Sequence, residues 1–113
     1  MKQIQGAPRR DYRFPNKQEV TGEVNEVASF VANIIANPAP VYSWYQYNNQ
    51  QLIPIPNTTV HTVTSTGQNS ILQITPRNVK DYGSYAVKAV NNQGSLQIVF
   101  KLIQITNVAG RFT

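Results

Sequence analysis

Apolar side chains in this sequence return at every second position, and no stretch carries a helical repeat. Short β-rich runs follow one another at roughly ten-residue intervals, separated by Pro, Gly and Asn, the pattern of an antiparallel sandwich or barrel. In "EVASFVANII", Ala28, Phe30, Ala32 and Ile34 share one face of a strand. "NPAP" then marks a turn, because Pro38 and Pro40 cannot donate to a ladder. "VYSWYQY" sets Tyr42 and Trp44 on one face and Ser43, Tyr45 and Tyr47 on the other. "LIPIP" reads as a short edge strand, and "TVHTVTS" and "SILQI" as two strands around a turn at Gly67, with Leu72 and Ile74 facing in. "SYAVKAV" and "SLQIVFKLIQI" close the pattern around the hairpin turn "NNQG". In the last strand the alternation of Leu96, Ile98, Phe100 and Leu102 shifts to Ile103 and Ile105, which predicts a bulge. The expected fold is all-β, roughly seven to nine strands in two sheets.

Composition narrows the rest. A chain of 113 residues is one domain by size. Only 13% of residues are charged, and Asn, Gln, Ser and Thr are abundant, giving a polar, weakly charged surface. Five of the ten basic residues (Lys2, Arg9, Arg10, Arg13 and Lys17) precede residue 18, against the single acid Asp11. With Pro8 and Pro15 among them, residues 1–17 read as a basic arm or linker, residues 18–106 as the folded domain and 107–113 as a tail. A basic arm also raises a nucleic-acid or anionic-lipid partner, but no basic stripe interleaved with aromatics occurs elsewhere, and a nucleic-acid partner is not expected. No apolar run is long enough to span a membrane as a helix.

The chain has no cysteine, so thiolate catalysis and disulfides are excluded. One His and five carboxylates supply the remaining titratable groups. No carboxylate pair has dyad spacing, no His–carboxylate cluster suits a metal, and no glycine-rich loop would cradle phosphate. His61 stands alone on a strand, where a structural role is commoner than a catalytic one. The reading is therefore not an enzyme, with no cofactor, no metal and no small-molecule substrate.

The order of landmarks carries a resemblance. Trp44 lies on the second long strand; "DYGSYAVKAVNNQG", residues 81–94, follows with Asp81, Gly83 and Tyr85 on alternate positions, then Val87, Ala89, Asn91 and Gly94. This arrangement resembles the immunoglobulin fold, specifically its I-set, over residues 18–106. The resemblance implies a Greek-key sandwich in which Trp44 fills the space between the sheets and Tyr85 forms a tyrosine corner. Gly83 frees the backbone to turn, and Asp81 accepts bonds in the same turn, with Arg77 or His61 as its basic partner. The departure is the inter-sheet disulfide: the two cysteine positions fall on Ala32 and Val87.

Members of this set serve as protein-interaction modules in longer chains. That resemblance implies a protein partner, homophilic contact included, together with neighbouring domains of the same chain. Tyr45 and Tyr47 leave their strand away from the core, Lys88 and Val90 alternate with inward Val87 and Ala89, and Val99 joins them from the last strand; these five form the expected contact patch. Two settings remain open. Low charge and the sequon "NTT" at Asn57 favour an extracellular adhesion or receptor module. The absence of cysteine and the strand "YAVKAVN" favour a cytoplasmic module of titin-like sarcomeric or cytoskeletal scaffolds.

Overall fold

The computed structural model describes residues 5–13, 17–48, 50–55 and 60–105. Its nine strands are β1 (Gly6–Arg10), β2 (Glu19–Gly22), β3 (Ala28–Asn37), β4 (Val41–Asn48), β5 (Gln51–Pro54), β6 (His61–Thr66), β7 (Asn69–Ile74), β8 (Gly83–Asn91) and β9 (Gly94–Gln104). They form two sheets, a four-stranded one ordered β1-β3-β7-β6 and a five-stranded one ordered β2-β9-β8-β4-β5. All pairings are antiparallel except β2 with β9. The first two strands therefore belong to different sheets.

Alternation decides which side chains meet. Along β3, Ala28, Phe30, Ala32, Ile34 and Ala36 are buried; opposite them, Trp44 on β4, Tyr85, Val87 and Ala89 on β8, and Ile98, Phe100 and Leu102 on β9 close the core. Four aromatics form its centre. Phe30 stacks on Phe100 with ring centroids 4.9 Å apart and lies 6.4 Å from Trp44 and 5.5 Å from Tyr85, while Trp44 and Phe100 are 5.5 Å apart. Such offset and tilted pairs add about 0.5–1.5 kcal/mol each beyond area burial. The indole N–H is not wasted: Trp44 Nε1 donates to Ser70 Oγ at 2.8 Å, and Ser70 Oγ lies 2.7 Å from Ser65 Oγ. Every described buried side-chain N or O finds a partner in this way, as a low-dielectric interior demands.

Two features differ from the sequence expectation. Residues 6–10, read as part of a basic arm, form β1 on the edge of the four-stranded sheet. "GAPRR" has no apolar alternation to announce a strand, and Pro8 is tolerated because an edge strand serves only one ladder. The irregularity expected at the end of β9 is absent there, since its register with β8 runs unbroken from Gly94 to Leu102 and its register with β2 from Lys101 to Gln104; Ile103 and Ile105 are not part of the buried core. The register shift lies instead in β1, between Gly6 and Arg9. The break expected at "NPAP" does fall between β3 and β4, and it contains a cis Asn37–Pro38 peptide.

Polar side chains brace the first strands. Arg10 Nη1 donates to Gln18 Oε1 at 3.0 Å, and Gln18 Nε2 donates to the Val99 carbonyl at 2.8 Å. Asn91 Nδ2 reaches the Gly6 and Pro38 carbonyls, both at 2.9 Å. Asp11, nearly buried, accepts from Arg13 Nε and Nη2, each at 2.9 Å. This fork from the Arg13 guanidinium holds the Asp11 carboxyl below the usual range.

Candidate functional site

The turn into β8 is built from "RNVKDYG". Asn78 caps a 3-10 turn, Val79–Asp81, by accepting from the Lys80 N–H, and Asp81 Oδ2 accepts from the Asn78 and Arg77 backbone N–H groups at 3.2 and 2.7 Å. Asp81 thus takes the backbone of Arg77 rather than its guanidinium, which donates to Asn25 Oδ1 at 2.7 Å. Gly83 follows with φ of +120°, a conformation that costs other residues strain. Tyr85 Oη then donates to the Asp81 carbonyl, completing the tyrosine corner. Burial pushes the Tyr85 phenol far above its ordinary range, with the Asp81 charge acting the same way. These residues are occupied in holding the chain's return to the sheet.

His61 belongs to the same arrangement. It sits at the start of β6 opposite buried Ile74, half-buried, with Nε2 3.4 Å from Tyr85 Oη and the two rings 5.9 Å apart. Burial lowers its pKa below 6.5, partly offset by Asp81. A base whose pKa is depressed in the folded state contributes stability that is complete above about pH 6.5 and lost as pH falls through the folded value. Urea midpoints should therefore drop between about pH 7 and pH 5 in this protein. His61→Gln should flatten that slope; an unchanged slope would assign it to other groups.

The outward face of the five-stranded sheet collects the expected contact residues. Tyr45 stands in register with Ala86, which pairs on its other side with Val99, and Val41 pairs with Val90 two positions along. Lys88 Nζ lies 5.9 Å from the Tyr45 ring centroid, within cation–π range. Tyr47 Oη accepts from Gln97 Nε2 at 3.2 Å. The structure brings Tyr45, Tyr47, Lys88, Val90 and Val99 onto one face, with Val90 and Val99 41% and 39% exposed. The tyrosines are half-buried, lying along the sheet rather than projecting from it. Ala86, fully buried although outward-facing, shows that the side chains around it roof this part of the sheet.

Sequence reasoning missed two parts of this surface. Val41, 71% exposed, widens the apolar strip beside Val90; its place at the start of the strand "VYSWYQY" does not reveal that partner. Gln97, for which the sequence gives no signal, donates from Nε2 to the Tyr47 hydroxyl and so positions it. Asn57 lies outside the described residues, as do residues 107–113. Among the described residues no group of three or more His, Cys, Asp or Glu side chains could hold a metal ion.

Two mostly antiparallel sheets packed around a central Trp, with the first two strands in different sheets and a tyrosine corner fixing the penultimate strand, define an immunoglobulin-type sandwich domain. The chain belongs to the immunoglobulin I-set family, whose model, described as the immunoglobulin I-set domain, matches residues 13–103. It is similar to neural cell adhesion molecule 1 of Bos taurus, 32% identical over 84 residues that cover 74% of this chain and 10% of that protein. This chain thus spans about a tenth of that relative's length. Among solved structures, titin Ig tandem domains A164-A165 superpose with a TM-score of 0.75 at 22% identity, covering 89% of this chain and 50% of that one. Titin domain M7 does so with a TM-score of 0.75 at 20% identity, covering 93% and 100%. At those identities the titin likeness is one of fold.

Proposed function

We propose that this domain is a non-enzymatic protein-interaction module of a larger multidomain protein, serving in a cell-surface adhesion or receptor ectodomain. The observation that carries it is the tyrosine face. Aromatic rings, a basic side chain and exposed valines are gathered on one sheet, the composition by which protein contacts are made. The 32% identity to an adhesion molecule and the low proportion of charged residues support the extracellular setting. The cytoplasmic, titin-like alternative draws support from the absence of cysteine.

Two measurements test this. Membrane-impermeant biotinylation of intact cells making the full-length protein should label it; labelling only after permeabilisation favours the cytoplasmic setting. Beads coated with the domain should bind such cells, and Tyr45→Ala with Tyr47→Ala should lower that binding at least about tenfold while leaving the urea midpoint nearly unchanged. A double variant that binds normally moves the contact to another surface. One that unfolds early makes the tyrosines packing residues.

A further inference from the structure

We propose that the flank of the domain formed by β1, the residues that follow it and the β2–β9 edge binds a linear sulfated polysaccharide. The setting rests on the cell-surface reading; the site adjoins the tyrosine face at Val99 and shares none of its five side chains. The basic residues that the sequence places in an arm are held here by the fold. Arg9 and Arg10 end β1, which runs beside β9. Arg10 Nη1 donates to Gln18 Oε1 at 3.0 Å, Gln18 Nε2 donates to the Val99 carbonyl at 2.8 Å, and the Gln18 carbonyl accepts from the Lys101 N–H at 2.7 Å. Arg10 of one sheet is thereby fixed close to Lys101 of the other, with Lys17 preceding Gln18 in the chain.

Charge is divided unevenly over the molecule. Among the described residues, five cations lie on this flank (Arg9, Arg10, Arg13, Lys17 and Lys101) against two acids, Asp11 and Glu19. The other three cations, Arg77, Lys80 and Lys88, are matched in number by Glu23, Glu26 and Asp81. All the net positive charge of the described residues therefore belongs to this flank. Arg13 is committed to Asp11 by two bonds of 2.9 Å. Arg10 donates to an amide rather than a carboxylate, and Arg9, Lys17 and Lys101 enter no ion pair among the described residues. Glu19, in register with Lys101 across the parallel pair, is the one acid left to oppose them.

Four cations with no carboxylate partner attract a polyanion, and the Arg fork pairs two oxygens of one anionic group at a time. Duplex DNA is read by an element that enters a groove. These cations lie instead along the border where β1 meets the β2–β9 edge, which suits a single flexible chain carrying sulfate groups at intervals.

A heparin hexasaccharide titrated into isotope-labelled protein tests the proposal. Amide shift changes should centre on Arg9, Arg10, Lys17, Gln18 and Lys101. On the scale of single-stranded nucleic acid, each neutralised charge adds about −0.7 to the slope of log affinity against log salt, so four cations give about −3. Lys17→Gln with Lys101→Gln should lower affinity about tenfold at about 0.15 M salt and halve that slope. Glu19→Gln should raise affinity. Arg77→Gln with Lys80→Gln removes the same charge elsewhere and should leave affinity and slope unchanged; equal losses in the two double variants would reduce the effect to net charge and overturn the site. Far-ultraviolet circular dichroism verifies that each variant is folded. Undiminished binding of desulfated heparin, or tighter binding at equal salt to phosphatidylserine vesicles or duplex DNA, would overturn the ligand assignment. Surface labelling of the full-length protein without heparin binding would keep the cell-surface reading and remove this site. Heparin binding without surface labelling would remove that reading and, with it, a surface polysaccharide as the ligand.

Discussion

Replacing Trp44 by alanine is expected to lower stability by about 3–5 kcal/mol, which for a domain of this size removes much of the net stability available. Trp44 is only 4% exposed and contacts both Phe30 and Phe100. Its loss opens a cavity between the sheets and also leaves Ser70, fully buried, without the donor it accepts from. Trp44→Phe goes part of the way to separating the two effects, since it keeps much of the ring volume while removing the N–H. Chemical denaturation reads both. A loss below about 1 kcal/mol for the alanine variant would contradict the central position of this side chain.

The second large effect is a gain. Ala32 pairs with Ser70, Val87 pairs with Trp44, and Trp44 and Ser70 are hydrogen-bonded between the two sheets. Ala32 and Val87 therefore flank the same inter-sheet bridge from opposite sheets, both buried. Ala32→Cys with Val87→Cys should oxidise in the folded protein, closing a loop of about 55 residues and adding up to about 4 kcal/mol less any strain. Moving one cysteine to position 31 or 86 should abolish the bridge, because the side chain changes face. Thiol titration under oxidising conditions checks it: free thiols in the folded 32/87 variant would break the mapping. In the native protein Ala32 and Val87 stand at those positions as small buried side chains, packed in the same core as the four-ring aromatic cluster and the Trp44–Ser70 bond.

Much of this architecture was legible in the sequence. Ala28, Phe30, Ala32 and Ile34 alternate inward as their spacing requires, and the same rule placed Leu72, Ile74, Val87 and Ile98. Asp81, Gly83 and Tyr85 announced the turn because each supplies a local need: a cap, a left-handed backbone and a hydroxyl reaching back to its own turn. The five expected contact residues share a face for a similarly local reason, since side-chain direction has a period of two.

The rest depended on partners distant in the chain. No local pattern marks Gly6–Arg10 as a strand; it becomes one because β3 offers an open edge and because Asn91 and Gln18 tie its ends down. Nothing near Asp81 says that it takes the Arg77 backbone while the guanidinium turns to Asn25. Nor could spacing show that Val41 lines up with Val90, or that Gln18 brings Arg10 close to Lys101. Alternation determines which way each side chain points, because that is fixed by the backbone of its own strand. Lateral register determines which side chains become neighbours, and it is settled only when hydrogen bonds and burial across the whole sandwich are satisfied together.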